Sequence, residues 1–290
     1  MGAGTAVMVD PAQREVVDIH HHAGVDTLRR RRTVLEAGEE YRRLAGWVVV
    51  KSHLASTTAV AWEARRRGLP VSGSVVLNHL AGGLDPRVVE QAVLTHGPDS
   101  PARPLIYLPT LTGHAHAPSQ DAFHPDIGAR SVGIRVSDDG GRLLPETVEV
   151  IAACADLPVV LATGHCVRDE VMRVVDCAVE HGVSRIVVTH ATHPIVGLTD
   201  DDLRALADLE QVFIELTGLT YILKRRTPEE LLTAIGAHPR VILSSDLGQP
   251  ASPDIEEWLT ETRAWLRSNG VSEREIRELL VERPSRLIAS

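Results

Sequence analysis

Four apolar runs of this sequence end in histidine, and a fifth ends in aspartate. They read VVDIHHH (Val16 to His22), VVVKSH (Val48 to His53), VVLATGH (Val159 to His165), RIVVTH (Arg185 to His190) and VILSSD (Val241 to Asp246). Short β-branched runs bounded by turn signals are typical of buried parallel strands. Imidazole and carboxylate groups past the ends of such strands would meet at one rim, where they could bind a metal ion and carry protons. The pattern indicates a metalloenzyme.

The first run contains an H-x-H pair. His20 and His22 lie two residues apart, so both side chains project to the same side of a strand and can reach one metal ion. Asp18 lies on the same face, two residues earlier. It is placed to orient a histidine, although capping a neighbouring loop is the alternative.

Later runs supply further candidate ligands. His165 follows Gly164, which allows a sharp turn of the backbone, and His190 ends RIVVT. We expect both to bind the metal or to act in catalysis. Asp246 is a stronger candidate, because a carboxylate after apolar and small residues is costly to bury unless it is paired or bound to a cation. A helix N-cap is the alternative for Asp246. His193 is a candidate substrate contact, or a solvated loop residue.

Lys51 and His53 end the second run and are candidate substrate contacts. A lysine in the mouth of a barrel must meet an anion or lose its proton. Lys51 could therefore bind a substrate carboxylate, assist proton transfer, or carry a carbamate that binds metal. A side chain that extends outside the site is the alternative.

Polar residues after other strands are further candidate substrate contacts. Asn78 follows the third strand, and Thr110, His114 and His116 lie in or near LPTLTGHAH after the fourth. A mobile polar loop is the alternative for this last segment. Glu215 ends the seventh strand, where it either points inward or pairs with a neighbouring cation.

The elements that must position these residues alternate regularly along the chain. Strand signals lie near 16–20, 47–51, 72–77, 103–109, 158–163, 185–190, 211–216 and 240–245. Helical patterns lie at 33–45, 57–67, 87–96, 146–155, 168–181 and 200–209, after the Thr227 capping box, and at 273–282. Eight strands alternating with helices close a (β/α)8 TIM barrel of the α/β class, whose active sites lie at the carboxyl ends of the strands.

One apolar stretch is left over. GIRVSDDGGRLL (Gly133 to Leu144) has two short runs around a turn, which predicts a small β-hairpin insertion at 133–144 between the fourth and fifth strands. A doubly wound open sheet with this stretch as a ninth strand is the alternative. Without an internal repeat or a linker, residues 1–290 are expected to form a single domain.

Composition restricts the partners. The net charge of −9 in 290 residues comes from scattered acids, which argues against nucleic-acid binding. The one basic cluster, Arg29 to Arg32, is either a solvated stretch or a contact for an anionic substrate. No membrane partner is expected, because no apolar run approaches the ~20 residues of a membrane span. The N-terminus lacks a signal-peptide core and the three cysteines indicate no disulfide framework, so a cytoplasmic location is expected. A homo-oligomer is compatible with the sequence, as is a monomer.

The arrangement of these residues resembles the amidohydrolase superfamily of metal-dependent barrels. The resemblance rests on H-x-H after strand one, histidine after strands five and six, and aspartate after strand eight. The terminal ERPSRLI is similar to the closing helix of that superfamily. The blocks VVVKSHLASTTAVA, GSVVLNHLAGGLDP, YLPT, LATGH, RIVVTH and LSSDLG, between positions 48 and 248, resemble an uncharacterised amidohydrolase-related group.

The resemblance implies roles for particular residues. His20, His22 and His165 would bind the metal, Asp246 would be both ligand and general base, and His190 would be a ligand or would polarise the substrate. Binuclear members place a carbamylated lysine or a glutamate after strand four, and LPTLTGHAH has neither. A mononuclear site is therefore favoured, unless Lys51 or a histidine at 114–116 completes a second one.

We therefore expect a divalent-metal hydrolase that uses activated water on a small polar metabolite, either neutral or anionic. The bond would be C–N in an amide, lactam, imide or amidine, or C–O in a lactone. Zinc suits an imidazole-rich site best, with Mn²⁺ or Fe²⁺ as alternatives. Asp246 would be the general base, and His190 or Lys51 would stabilise the oxyanion. The alternatives are a metal-dependent decarboxylase or lyase, a phosphoesterase, and a non-catalytic metal-dependent binding protein.

Overall fold

The computed structural model describes residues 14–98, 100–112 and 122–290, which contain the eight predicted strands. The strands are β1 (Val16–His22), β2 (Gly46–Lys51), β3 (Val71–Val76), β4 (Leu105–Tyr107), β5 (Val160–Ala162), β6 (Ile186–Val188), β7 (Val212–Thr217) and β8 (Val241–Ser244). Every residue of these strands is buried. This burial explains their nearly continuous apolar sequences, since both faces of a parallel sheet are covered.

The sheet closes on itself. Neighbouring strands pair in parallel in the order β1 to β8. The segment after β8 then returns to β1, because the Asp246 amide donates to the His20 carbonyl (2.7 Å) and the His22 amide donates to the Leu247 carbonyl (2.8 Å). This closure confirms the (β/α)8 barrel and excludes an open, doubly wound sheet.

Helices follow the strands on the outside of the barrel. The long helices are α1 (Val34–Arg43), α2 (Thr58–Arg66), α3 (Pro86–His96), α5 (Pro145–Asp156), α6 (Arg168–Glu180), α9 (Pro228–Ala237) and α10 (Ile255–Ser268). The short ones are α4 (Ile127–Arg130), α7 (Asp200–Ala205), α8 (Gly218–Ile222), α11 (Glu273–Arg277) and α12 (Arg283–Ile288), with a 3₁₀ turn at His79–Ala81 and a π-helical turn at Glu278–Glu282. None of the described helices is both long enough and apolar enough to cross a bilayer.

Local sequence signals explain where several helices begin. Asp85 caps α3 by accepting a hydrogen bond from the Arg87 amide, and Pro86 occupies the first turn. Thr227 opens α9 with a complete capping box in which Glu230 takes part. Helix α10 was not predicted, although its buried Ile255, Trp258, Leu259 and Leu266 have the spacing of an amphipathic helix.

The predicted insertion at 133–144 is smaller than a regular hairpin. A single antiparallel bridge joins Ser137 to Leu143, around a turn in which the Gly141 amide donates to the Asp138 carbonyl at 2.9 Å. The turn signal in Asp-Asp-Gly-Gly is therefore correct, but the flanking runs are too short to pair further. The segment lies between β4 and α5, as expected.

Candidate functional site

A cavity of about 210 Å³ lies at the carboxyl ends of the strands. The predicted site residues on its wall are His22, Lys51, His53, His165, His190, His193 and Asp246. His20 is fully buried beneath them and contacts Asp246. The topology therefore brings together side chains that are up to 226 residues apart in the sequence, from positions 20 to 246.

The Asp246 carboxylate lies at the centre of three imidazole rings. Its Oδ1 atom is 3.2 Å from Nε2 of both His20 and His22, and its Oδ2 atom is 3.5 Å from Nδ1 of His190. Ligand atoms of His20, His190 and Asp246 all lie within 4.8 Å of one another. This is the spacing expected for side chains that can share one metal ion.

Carboxylates accept hydrogen bonds from the Nδ1 atoms, here called the outer nitrogens, of His20 and His22. His20 Nδ1 is 3.1 Å from Glu215 Oε1, and His22 Nδ1 is 3.1 Å from Asp26 Oδ2. A carboxylate accepts, so each Nδ1 donates and each Nε2 is left to face Asp246. A ring nitrogen this close to a carboxylate oxygen either carries a proton or shares a cation with that oxygen. Carboxylate-oriented imidazoles are also the usual arrangement around metal ions in proteins.

The pKa of His20 also indicates that its surroundings stabilise a positive charge. Burial and the Lys51 ammonium lower the pKa of His20, whereas the Asp246 and Glu215 carboxylates raise it, and the net pKa is about 9. For Asp246, burial raises the pKa but His20 and His190 lower it, so it lies well below its usual value. Imidazole nitrogens around an ionised carboxylate suit a divalent ion such as zinc, and the donor set therefore fits a metal.

The backbone is strained where two of these side chains leave their strands. His190 has a φ of 42° and Asp246 a φ of 55°, values that side-chain-bearing residues rarely adopt. The His190 amide donates to Glu215 Oε2 at 3.1 Å, which holds this conformation. Gly164, before His165, has a φ of 61°, and a Cβ atom there would lie 2.1 Å from the Leu108 carbonyl oxygen. Only glycine fits at this position.

His165 lies beside His190. Their Nε2 atoms are 3.3 Å apart, so the two rings meet across the cavity. Two imidazole nitrogens this close either share a proton or face a common cation. His165 therefore lies beside Nε2 of His190, whereas Asp246 lies beside Nδ1 of the same ring.

Lys51 is fully buried, with its Nζ atom 3.0 Å from His20 Nε2 and 4.3 Å from the centre of the Tyr107 ring. Burial lowers the pKa of Lys51 to about 8, although the Asp246 and Glu215 carboxylates oppose this shift. An amine in this position can release its proton near neutral pH. The alternative of a lysine extending outside the site does not fit this geometry.

Asn78 and Thr110 hold His53 in place. His53 Nδ1 is 2.7 Å from Thr110 Oγ1, and Asn78 Nδ2 donates to that oxygen at 2.9 Å. Asn78 Oδ1 accepts from the amides of Thr110 and Leu111. We expected Asn78 and Thr110 to contact substrate, but their polar groups are engaged within the protein and neither residue lines the cavity. These hydrogen bonds instead connect the loops that follow β2, β3 and β4 to one another.

The remaining candidates differ in their surroundings. His193 lies on the cavity wall, and its Nδ1 atom accepts from the Ile195 amide at 3.1 Å. Asp18 accepts from the Tyr41 hydroxyl and from the His20 amide, so it orients the backbone of His20 and not the ring. His114 and His116 lie outside the described residues.

The structure adds Asp26, which the sequence pattern did not single out, and places Arg30 of the basic cluster at the site. Asp26, four residues past His22, accepts from His22 Nδ1 and from the His53 amide, and a Gly24 φ of 78° turns the chain back to place it there. Arg30 pairs with Asp26 on the cavity wall, while its neighbour Arg29 is exposed. The solvated interpretation of the basic cluster is therefore wrong for Arg30.

Glu215 is expected to control metal affinity through His20. In Glu215→Gln, the amide nitrogen can donate to His20 Nδ1 and favour the tautomer whose Nε2 carries the proton. Because partners of ligating histidines typically change affinity by about 10- to 100-fold, we expect a loss of that size in zinc titrations. The matched control is Glu210→Gln at an exposed position. Equal zinc affinity in Glu215→Gln and wild type would contradict this role.

The barrel resembles solved amidohydrolase structures. It superimposes with a TM-score of 0.59 on an amidohydrolase from Pseudomonas aeruginosa, with 15% identity over 96% of each chain. A structure described as an amidohydrolase II gives a TM-score of 0.56, with 12% identity over 94% of this chain and 99% of that one. At these identities the likeness establishes the fold, and it confirms the predicted (β/α)8 barrel.

Sequence comparisons assign the chain to a family. No curated protein matches it. A family model described as "Family of unknown function (DUF6282)" matches residues 15–215. This range contains the site residues described above except Asp246. The chain belongs to this family of unknown function.

Proposed function

We propose that the protein is a metal-dependent hydrolase. The bond that it cleaves would be C–N in an amide, lactam, imide or amidine, or C–O in a lactone, within a small polar molecule. The observation that carries the proposal is the Asp246 carboxylate contacted by His20, His22 and His190, with the outer nitrogens of the first two held by Glu215 and Asp26. The amidohydrolase-type fold supports it.

The proposed ligands are His20, His22, His165, His190 and Asp246. A divalent ion in such a site supplies an activated water and polarises a carbonyl group. Zinc is proposed because imidazole predominates among the donors, with Mn²⁺ and Fe²⁺ as alternatives.

A single ion is favoured over two. The second cluster of possible ligands is His22, Asp26 and His53. Both oxygens of Asp26 already accept hydrogen bonds, Oδ1 from the Thr27 and His53 amides and Oδ2 from His22 and Arg30. A second ion would have to displace these partners.

The protein's own residues would move the proton. Asp246 is ionised at neutral pH, so a carboxylate oxygen can accept a proton from the attacking water and deliver it to the leaving group. His190 and Lys51 line the same cavity and would stabilise the negative charge that develops on the carbonyl oxygen. His53 and His193 would contact the substrate from the wall.

Phosphoester hydrolysis is the second candidate. The observation in its favour is that Arg30 and Lys51 both line the cavity, so two cationic side chains could face a phosphoryl group. A decarboxylation at the same site would use the same cations for a carboxylate.

A screen of metal-loaded protein tests the proposal. Zinc-, manganese- and iron-loaded samples would be assayed on panels of amides, lactams, imides, lactones and phosphoesters, with Asp246→Asn as the inactive reference. We expect turnover in the C–N or lactone panels that is removed by chelation and restored by metal. Activity confined to phosphoesters would replace the proposed chemistry with the second candidate. Metal binding without turnover in any panel would favour a binding protein.

Lys51 is expected to act on substrate and not as a metal ligand. In Lys51→Met, an amine that contacts substrate would be lost, which should lower kcat/KM by about tenfold or more while the metal content stays unchanged. Lys224→Met is the matched control, because Lys224 is the other lysine of the chain and is exposed. If Lys51 carries a carbamate ligand instead, Lys51→Met would lose metal, and bicarbonate would stimulate the wild type.

A further inference from the structure

The Arg30 side chain is buried on the wall of the cavity, with 2% of its area exposed. Its Nε and Nη2 atoms both lie 2.7 Å from Asp26 Oδ2. This ion pair fixes one edge of the planar guanidinium. It also ties Arg30 to the proposed metal centre, because the same carboxylate oxygen accepts from His22 Nδ1.

The third nitrogen of Arg30 is left without a partner. Nη1 is buried and makes no hydrogen bond with any residue that the structure describes. A buried guanidinium donor that is unpaired is costly, and such groups are rare unless a ligand or ordered water completes them. The neighbouring arginines are satisfied differently: Arg31 pairs with Asp254, Arg32 pairs with Glu40, and Arg29 is exposed.

Within the described part of the chain, no acceptor lies within hydrogen-bond distance of this nitrogen. Asp26 accepts from Thr27, His53, His22 and Arg30 itself, and Glu215 accepts from His20, Ser244 and the His190 amide. Much of the remaining described wall is apolar and is formed by Leu28, Ile195, Leu219 and Leu223. A small cavity with apolar sides and one unpaired cationic donor suits a short aliphatic molecule that carries an anionic group.

We propose that Arg30 Nη1 binds the carboxylate of a small aliphatic substrate whose hydrolysable bond lies against the His20–His22–His190–Asp246 cluster. The inference rests on the proposed function, since it names the substrate class for that site. A carboxylate matches one free guanidinium nitrogen, which has two N–H donors to offer. Asp26 accepts from both Arg30 and His22, so a substrate that shifts Arg30 would also change the orientation of the His22 ring.

Titration with a matched pair of probes tests the proposal without requiring turnover. Succinamate carries one carboxylate and one amide, and succinamide replaces that carboxylate with a neutral amide. Both would be titrated into metal-loaded wild type at constant ionic strength by calorimetry, with inorganic phosphate as a third arm. We expect succinamate to bind at least about tenfold more tightly than succinamide, as a charge-assisted hydrogen bond would provide.

Substitutions then assign the effect to Arg30. Arg30→Met should weaken succinamate binding about tenfold or more, to the level of succinamide, whereas Arg29→Met should bind as wild type does. Metal content and melting temperature are measured on each variant. If Arg30→Met unfolds or loses metal, Arg30→Lys provides the second test, because it keeps a cation beside Asp26 but lacks the Nη1 donor. It should bind succinamate more weakly than wild type.

Three results would overturn the proposal. Equal binding of the two probes to wild type would show that no carboxylate site exists, and unchanged succinamate binding in folded Arg30→Met would place the carboxylate elsewhere, such as on the metal. Tighter binding of phosphate than of succinamate would change the substrate class. A protein that takes up no metal but still discriminates the probes through Arg30 would contradict the proposed hydrolase and not this site.

Discussion

Replacing His20 and His22 together by alanine should abolish tight metal binding. Each ring presents its Nε2 atom 3.2 Å from the same oxygen of Asp246, so the double variant removes two proposed ligands at once. We expect wild type to retain about one divalent ion per chain after gel filtration and the variant to retain at most about a tenth of that, measured by elemental analysis.

The control is His181→Ala, because His181 is exposed at the end of α6 and does not line the cavity. Far-ultraviolet circular dichroism would verify that both variants keep the barrel. Metal-free wild type that takes up no ion on titration would disprove the metal centre. Two ions per chain would instead indicate that Lys51, Asp26, His53 or the 114–116 segment contributes further ligands.

The barrel was predictable because its signal is repeated. Each strand is buried on both faces, so each appears in the sequence as a short apolar run, and capped helices separate most of these runs. Strand ends therefore marked the rim, and His20, His22, His165, His190 and Asp246 do meet there. The left-handed backbone of His190 and Asp246 was not predictable, since it depends on partners from other strands such as Glu215.

Positions in loops were less predictable than positions at strand ends. Asn78 and Thr110 carry groups that could bind substrate, yet the fold uses them to hold His53. Arg30 belongs to a basic stretch for which the sequence allowed either solvation or contact with an anionic substrate, and its ion pair with Asp26 places it on the cavity wall. In both cases the decisive partner is set by tertiary contacts, which neither residue type nor spacing encodes.

The two carboxylates behind the H-x-H histidines have different further connections. Glu215 links His20 to Ser244 and to the His190 backbone, so it joins β1, β7 and β8 into one rigid support. Asp26 links His22 to Arg30 and to the His53 amide, which lie in loops. The His20 side of the centre is therefore anchored in the barrel, whereas the His22 side is connected to the region proposed to hold the substrate.

Asp246→Asn should keep the fold and most of the metal but lose catalysis. The asparagine retains one oxygen for the His20–His22 pair and the same size, while it can no longer accept a proton. Because general bases contribute about 10²- to 10⁴-fold, we expect kcat to fall at least ~10²-fold on whichever substrate the screen identifies. The comparison is Asp208→Asn, at an exposed position beyond α7.

The pH–rate profile separates a proton acceptor from a residue that only positions the metal. The imidazoles hold the pKa of Asp246 well below its ordinary value against the raising effect of burial, so wild-type activity should fall on the acidic side as this carboxylate becomes protonated. That acidic limb should be absent from the residual activity of Asp246→Asn. A variant with near-normal turnover would show that the base lies elsewhere, and His190, 3.5 Å from Asp246 Oδ2, would be the next residue to test.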